Sequence, residues 1–153
     1  MPDKPIFNPE KLSIVEFRFL KGQVDGPEEF VLENIEMYNI QNKLELLFNL
    51  DEKLARADFT IDITTDSKGK NSKEATGNFH FFYLFKVENL EELAKLNDLK
   101  LVELDSSLGN SLASITYSTS RGVLLTRLQS TALQNFILPV INPNILLVPE
   151  LTE

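Results

Sequence analysis

The sequence predicts an α+β fold: a four-stranded antiparallel sheet, built as a meander with a crossover after strand 1, and a long helix packed on one face. Three observations predict it. Apolar residues alternate with period two in four segments before residue 88, separated by polar stretches. Beyond residue 88 the apolar spacing lengthens to three or four, which is helical. The most apolar segment, residues 78–87, puts Phe79, Phe81, Tyr83, Phe85 and Val87 on one side of a strand and His80, Phe82, Leu84 and Lys86 on the other. A strand with one wet face would be polar where Phe82 and Leu84 stand. The second face is therefore expected to be partly covered by a helix, another subunit or a bound client.

Taken in order, residues 1–12 hold Pro2, Pro5 and Pro9 and read as an irregular arm. Val15, Phe17 and Phe19 then alternate with Ile14, Glu16, Arg18 and Leu20 in a strand with one strongly apolar face that ends near Gly22, and Asp25-Gly26-Pro27 is a turn signal. Residues 28–39 support either a short helical face or an extended crossover, and the crossover is favoured. Leu44, Leu46, Phe48 and Leu50 share one face of a second strand over residues 43–50. A polar connection follows, and Phe59, Ile61 and Ile63 alternate cleanly with Thr60, Asp62 and Thr64 in a third. Residues 66–77 are polar, with Lys68, Lys70 and Lys73, and form a hairpin tip before the aromatic strand.

Leu90, Leu93 and Leu96 have the spacing of a short helix. Asp105 is placed to cap the next one. There Leu108, Leu112, Ile115, Thr119 and Val123 recur at three or four residues, continuing to Leu124 and Leu128. Its many serines and threonines, and Gly122, are poor helix formers, so packing must hold it. Such small side chains suit a helix lying flat on a sheet or on its own copy. Pro139 and Pro143 interrupt helix in the last stretch, with room for one turn over residues 144–148. The domain organisation is an arm at 1–12, one domain at 13–148 and a tail at 149–153.

With 153 residues the chain can bury a real core as one domain. A formal net charge of -8 argues against non-specific nucleic-acid binding, which needs a basic surface. The absence of cysteine excludes disulfides, thiol catalysis and thiolate metal sites. No apolar run leads the chain or approaches the roughly 20 residues of a membrane span, so a cytoplasmic location is expected. His80 is the lone histidine and belongs to a strand, with no ligand set or Gly-x-Ser-x-Gly motif beside it. Glu28-Glu29 and Glu91-Glu92 are adjacent pairs, which point apart and make poor acid–base dyads. Neither catalysis nor a cofactor is expected.

Two motifs carry a family resemblance. Ala113-Ser-Ile-Thr-Tyr-Ser-Thr-Ser-Arg-Gly, followed by Leu138-Pro-Val-Ile-Asn-Pro-Asn-Ile-Leu, resembles the long helix and succeeding loop of the SecB protein-export chaperones. Phe17-Arg-Phe-Leu-Lys-Gly-Gln-Val-Asp-Gly-Pro is similar to that family's first strand and turn. The resemblance implies an ATP-independent holdase that binds unfolded polypeptides in apolar grooves and delivers them to the SecA motor. It implies a homo-oligomer, dimer or tetramer, with Leu112, Ile115, Thr119 and Val123 at the interface. Phe30, Val31, Tyr38 and Ile40 in the crossover, with Leu44 and Leu46 beside them, would contact the client. The chain departs from the pattern at Lys21 and at Lys68, Lys70 and Lys73, where acidic residues would face SecA, and its last helix looks short, with Pro149 in it. The alternative reading is a small-molecule or lipid carrier with an internal apolar cavity.

Overall fold

The computed structural model describes residues 6–69 and 73–147. Four long strands, β1 (Leu12–Asp25), β2 (Ile35–Asn49), β3 (Leu54–Ser67) and β4 (Thr76–Val87), form one antiparallel sheet in the order β1-β4-β3-β2. β2, β3 and β4 are a meander. The crossover, residues 26–34 with a 3-10 turn at Leu32–Asn34, carries the chain from one sheet edge to the other. After β4 come α1 (Leu90–Leu93), a small hairpin of β5 (Ala94–Leu96) and β6 (Val102–Leu104), α2 (Ser106–Arg127), and a 3-10 turn at Pro143–Leu147. The α+β class, the four-stranded antiparallel sheet and the long helix are as the sequence predicts.

The core lies between the sheet and α2. Register stacks Phe17, Tyr83, Ala57 and Leu46 across all four strands, and Phe19, Phe81, Phe59 and Leu44 in the rung above. The central members of these rungs are fully buried, as are Phe85, Ile61 and Ile63. α2 is 22 residues long, about 33 Å. Asp105 caps it by accepting from the Leu108 N–H at 3.1 Å. It buries Leu108, Gly109, Leu112, Ala113, Thr116, Tyr117, Ser120 and Leu124. The small members of that set let the helix sit close to the aromatic rings. Tyr83 Oη and Ser120 Oγ meet at 2.7 Å. Burial pushes the Tyr83 phenol up to about 12, against the opposing pull of that bond. Gly77 serves a close approach of another kind: a Cβ there would lie 2.6 Å from Leu133 Cδ1.

Several expectations change. Leu112 is fully buried against the sheet, so it belongs to the core and not to an oligomer interface. The helix is rotated from the expected face: Thr116, Tyr117 and Ser120 point in, while Thr119 is exposed. Only Leu90–Leu93 is helical where Leu96 was expected to continue a helix. Turn chemistry outweighs periodicity there, because Asn97 Oδ1 accepts from the N–H groups of Leu99 and Leu101, and Lys100 adopts φ 61°. β2 begins at Ile35, well before residue 43, because it pairs along almost the whole of β3. Tyr38 and Ile40 consequently lie on a strand and not in the crossover. β1 runs on to Asp25 and its alternation slips at bulges between Ile14 and Glu16 and between Phe19 and Lys21. Ile14, Phe17 and Phe19 therefore share the inner face, and Val15 sits at a bulge. In the arm, Ile6–Asn8 have no regular structure, Pro9–Lys11 form a 3-10 turn, and residues 1–5 lie outside the described residues. The tip residue Lys70 and the tail at 149–153 lie outside the described residues.

Phe59→Ala is expected to cost about 3–5 kcal/mol of stability through the cavity it leaves. Tyr83→Phe should cost roughly 1 kcal/mol, since it strands only the Ser120 hydroxyl. Urea unfolding measures both; a loss below about 1 kcal/mol for Phe59→Ala would place the core elsewhere.

Candidate functional site

The residues expected to meet a client fall into two adjoining groups. Phe30 and Val31 stay in the crossover, Phe30 half-buried and Val31 46% exposed. They help line an open depression of about 580 Å³ with Pro27, Glu28, Glu29 and Lys73. Phe30 also borders a second depression, of about 480 Å³, toward Thr131 and Ala132. The other group, Tyr38, Ile40, Leu44 and Leu46, runs along β2 on the inner face, all half-buried. Tyr38 packs edge-on against Phe136, ring centroids 5.2 Å apart, and burial raises its phenol pKa. Asn42 interrupts this row, opposite Ile61.

The crossover surface is acidic. Between Gly22 and Asn42 stand Asp25, Glu28, Glu29, Glu33 and Glu36 and no lysine or arginine. Across the depression, Glu74 pins the root of the β3–β4 hairpin. It accepts from Thr65 Oγ1 at 2.6 Å and from the Ser67 N–H at 2.9 Å, and these bonds hold its pKa below the usual carboxylate range.

Of the expected interface residues, Ile115 and Val123 are half-buried and Thr119 is exposed on α2. Beside α2 the edge strand β1 leaves Ile14 47% and Phe17 42% exposed. Sequence reasoning missed one apolar patch. The β5–β6 hairpin carries Leu96, Leu99, Leu101 and Val102 into solvent. The Asn97-Asp98 turn signal was the available clue.

The outer face of the sheet carries the lone histidine. His80 Nε2 donates to Asp58 Oδ1 at 2.8 Å, and Arg56 Nε donates to Asp58 Oδ2 at 2.6 Å. The Arg56 guanidinium lies 4.9 Å over the Phe82 ring. Partial burial raises the Asp58 pKa, but the hydrogen bonds from Arg56 and His80 outweigh it and hold the carboxyl below the usual range. Among the described residues no hydroxyl is hydrogen-bonded to His80, and no group of three or more acidic or histidine side chains is placed to hold a metal. The arrangement is an ion-pair network that shields an aromatic ring.

No protein-family model matches the chain, and no curated protein matches its sequence. Among solved structures, a Mycobacterium tuberculosis SecB-like chaperone, in complex with a ChAD peptide from an antitoxin, superposes with a TM-score of 0.61. The match covers 86% of this chain and 91% of that one, at 15% identity. The fold is that of a SecB-like chaperone. Within the SecB-like fold, β1 to β4 and α2 are the parts this chain shares, and the depressions at the crossover lie on its surface.

Asp58→Asn is expected to cost about 1 kcal/mol at neutral pH. The folded pKa of Asp58 lies below its unfolded value. Its contribution is therefore full above about pH 4, the ordinary carboxylate range, and fades as pH falls through the lower folded pKa. The stability gap between wild type and Asp58→Asn, read by thermal melts from pH 7 downward, should close at acid pH; a gap independent of pH would sink the assignment.

Proposed function

We propose that this chain is an ATP-independent holdase that binds unfolded polypeptides through the apolar surface of its crossover and β2. The observation that carries the reading is the pairing of a SecB-like fold with Phe30 and Val31 at an open, acid-rimmed depression. A holdase needs adaptable apolar surface and no bound nucleotide. The acidic rim favours client segments in which apolar residues are flanked by lysine or arginine. The peptide in the neighbouring structure comes from an antitoxin, and a client of that kind is as compatible with this surface as a preprotein.

The chain acts as a homo-oligomer in this reading, with Ile115, Thr119 and Val123 and the adjoining Ile14 and Phe17 of β1 meeting another copy. In this reading it acts in the cytoplasm, as the family resemblance implies. Among the described residues no helix is long and apolar enough to cross a membrane. Delivery to SecA rests on the family resemblance alone, and Lys21, Lys68 and Lys73 put basic charge where that contact would want acid. The carrier alternative has less behind it. The aromatic interior is packed, and the depressions at the crossover are open with charged rims.

At stoichiometric amounts and without ATP, the protein should suppress aggregation of a reduced, unfolding model protein, followed by light scattering. The double variant Phe30→Ala, Val31→Asp should weaken binding of a labelled unfolded client roughly tenfold, a hot-spot loss, without lowering the melting temperature much. Full aggregation in the presence of wild type would end the holdase reading. Light scattering of the protein alone should give a dimer or tetramer that Thr119→Arg drives toward monomer. A wild type that is monomeric at micromolar concentration would remove the oligomer from the proposal.

A further inference from the structure

The β5–β6 hairpin is polar on one face and apolar on the other, and its apolar face outruns the body of the molecule. Register sets Lys95 opposite Glu103 on the polar face, and Ala94 with Leu104 and Leu96 with Val102 on the apolar one. At the root that face is covered. Ala94 is buried, Leu104 is half-buried close to Gly109 of α2, and the Asp105 N–H donates to the Leu93 carbonyl at 2.7 Å. Toward the tip Leu96 and Val102 are exposed, and Leu99 and Leu101 stand 78% and 61% exposed in the turn itself. The turn is built by hydrogen bonds: the Asn97 N–H donates to the Leu101 carbonyl at 2.9 Å, and Asn97 Oδ1 accepts from the Leu99 and Leu101 N–H groups. Lys100, at φ 61°, sits between the two leucines. These apolar side chains are thus held out on a preorganised support, so docking them orders little chain. We propose that this tip seats in the crossover depression of a second copy of the chain, with Leu99 and Leu101 against Phe30 and Val31 and Lys100 beside Glu28 and Glu29.

Position, charge and shape select this occupant. β1 pairs with β4 from Leu12–Val87 at the hairpin end to Asp25–Thr76 at the crossover end, roughly 40 Å along the strands. α2 likewise starts at the hairpin, and the chain at its exit, Thr131 and Ala132, borders Phe30. A hairpin rooted at one end cannot reach the depression at the other, so the contact is between copies. Two copies set antiparallel bring each tip to the other's crossover and close the pair on a two-fold axis. The second contact then forms at high effective concentration, which offsets the small area of each. Charge selects the depression over a tip-to-tip pairing. Tips meeting on a two-fold axis would set Lys100 against its own copy, whereas the depression offers Glu28 and Glu29 against one lysine, Lys73. In a chain of net charge -8 most surfaces are repelled by the acidic crossover. The hairpin is not, because it balances Lys95 and Lys100 against Asp98 and Glu103. Shape agrees, since a narrow convex tip meets an open depression of about 580 Å³. The contact does not rest on the holdase reading; under that reading the tip competes with clients for Phe30 and Val31.

The lack of cysteine lets single thiols report the contact. Asp98→Cys protein, lengthened by a size tag, is mixed with Asn34→Cys protein and bridged with a short bismaleimide at micromolar concentration. The tag separates mixed from like pairs on a gel. Both positions are exposed, and urea unfolding checks that each variant is folded. The mixed adduct should exceed, by roughly fivefold, that formed when Glu52→Cys, exposed in the β2–β3 turn, replaces Asn34→Cys. Adding Leu99→Asp and Leu101→Asp to the tip protein should reduce it to that background. Lys100→Glu should cut it several-fold, and Glu28→Lys with Glu29→Lys in the other protein should restore it. A mixed adduct at the Glu52→Cys background, a dominant tip-to-tip adduct, or an adduct indifferent to both leucine substitutions overturns the proposal. No client enters the assay, so the holdase reading stands or falls separately, on the aggregation test.

Discussion

One helix lies over a sheet four strands wide, and the rest of the molecule follows from that mismatch. Strands spaced at ~4.8 Å make the sheet roughly 15–20 Å across, whereas a helix with its side chains is only about 10 Å. α2 can seal β4 and β3, and it does: Phe59, Phe81, Tyr83 and Phe85 have no exposed surface. It cannot also seal both edges. β1 is left with Ile14 and Phe17 partly open, and β2 is closed by a second, weaker cover, the chain from Phe136 onward. Apolar surface is thus left partly open at both edges of the inner face.

The two faces of the sheet manage apolar exposure differently. On the outer face Phe82 and Leu84 are half-exposed, with no helix or strand over them among the described residues. Charge covers them: Arg56 lies on Phe82 and is held there by Asp58, which His80 also grips. That network keeps the outer face wet and self-contained. On the inner face no comparable ion pairs guard β2, and the acidic crossover stands only at one end of the row. Self-association through an acidic rim is opposed by its own charge, whereas a basic, apolar chain is drawn to it.

Where the sequence was legible, one physical rule governed the segment. β3 and β4 pack one face against α2, so period-two alternation placed Phe59, Ile61, Phe79 and Phe81 correctly, and Asp105 announced its helix because a cap is a local device. Where two rules competed, the reading slipped. Leu90, Leu93 and Leu96 have helical spacing, but Asn97 builds a turn that forces Ala94–Leu96 into a strand. Bulges in β1 move Ile14 onto the inner face in a way no fixed period expresses. Along α2 the large apolar residues suggested a face through Ile115 and Thr119. The actual contact runs through Thr116 and Ser120, because an aromatic sheet demands small neighbours more than greasy ones. The candidate site suffered from the same limit: Phe30 and Val31 could be picked out as apolar residues in a loop, but the cover over Tyr38 and Ile40 is a tertiary fact.

The contact of Phe136 with Tyr38 partly closes the inner face of the edge strand β2. A row such as Tyr38, Ile40, Leu44 and Leu46 left fully open on an edge strand would invite pairing with any exposed strand, including those of other copies. A permanent helix bonded across it would remove the hazard and the function together. A segment anchored to α2 through Tyr117 and Asn110 lies between these extremes.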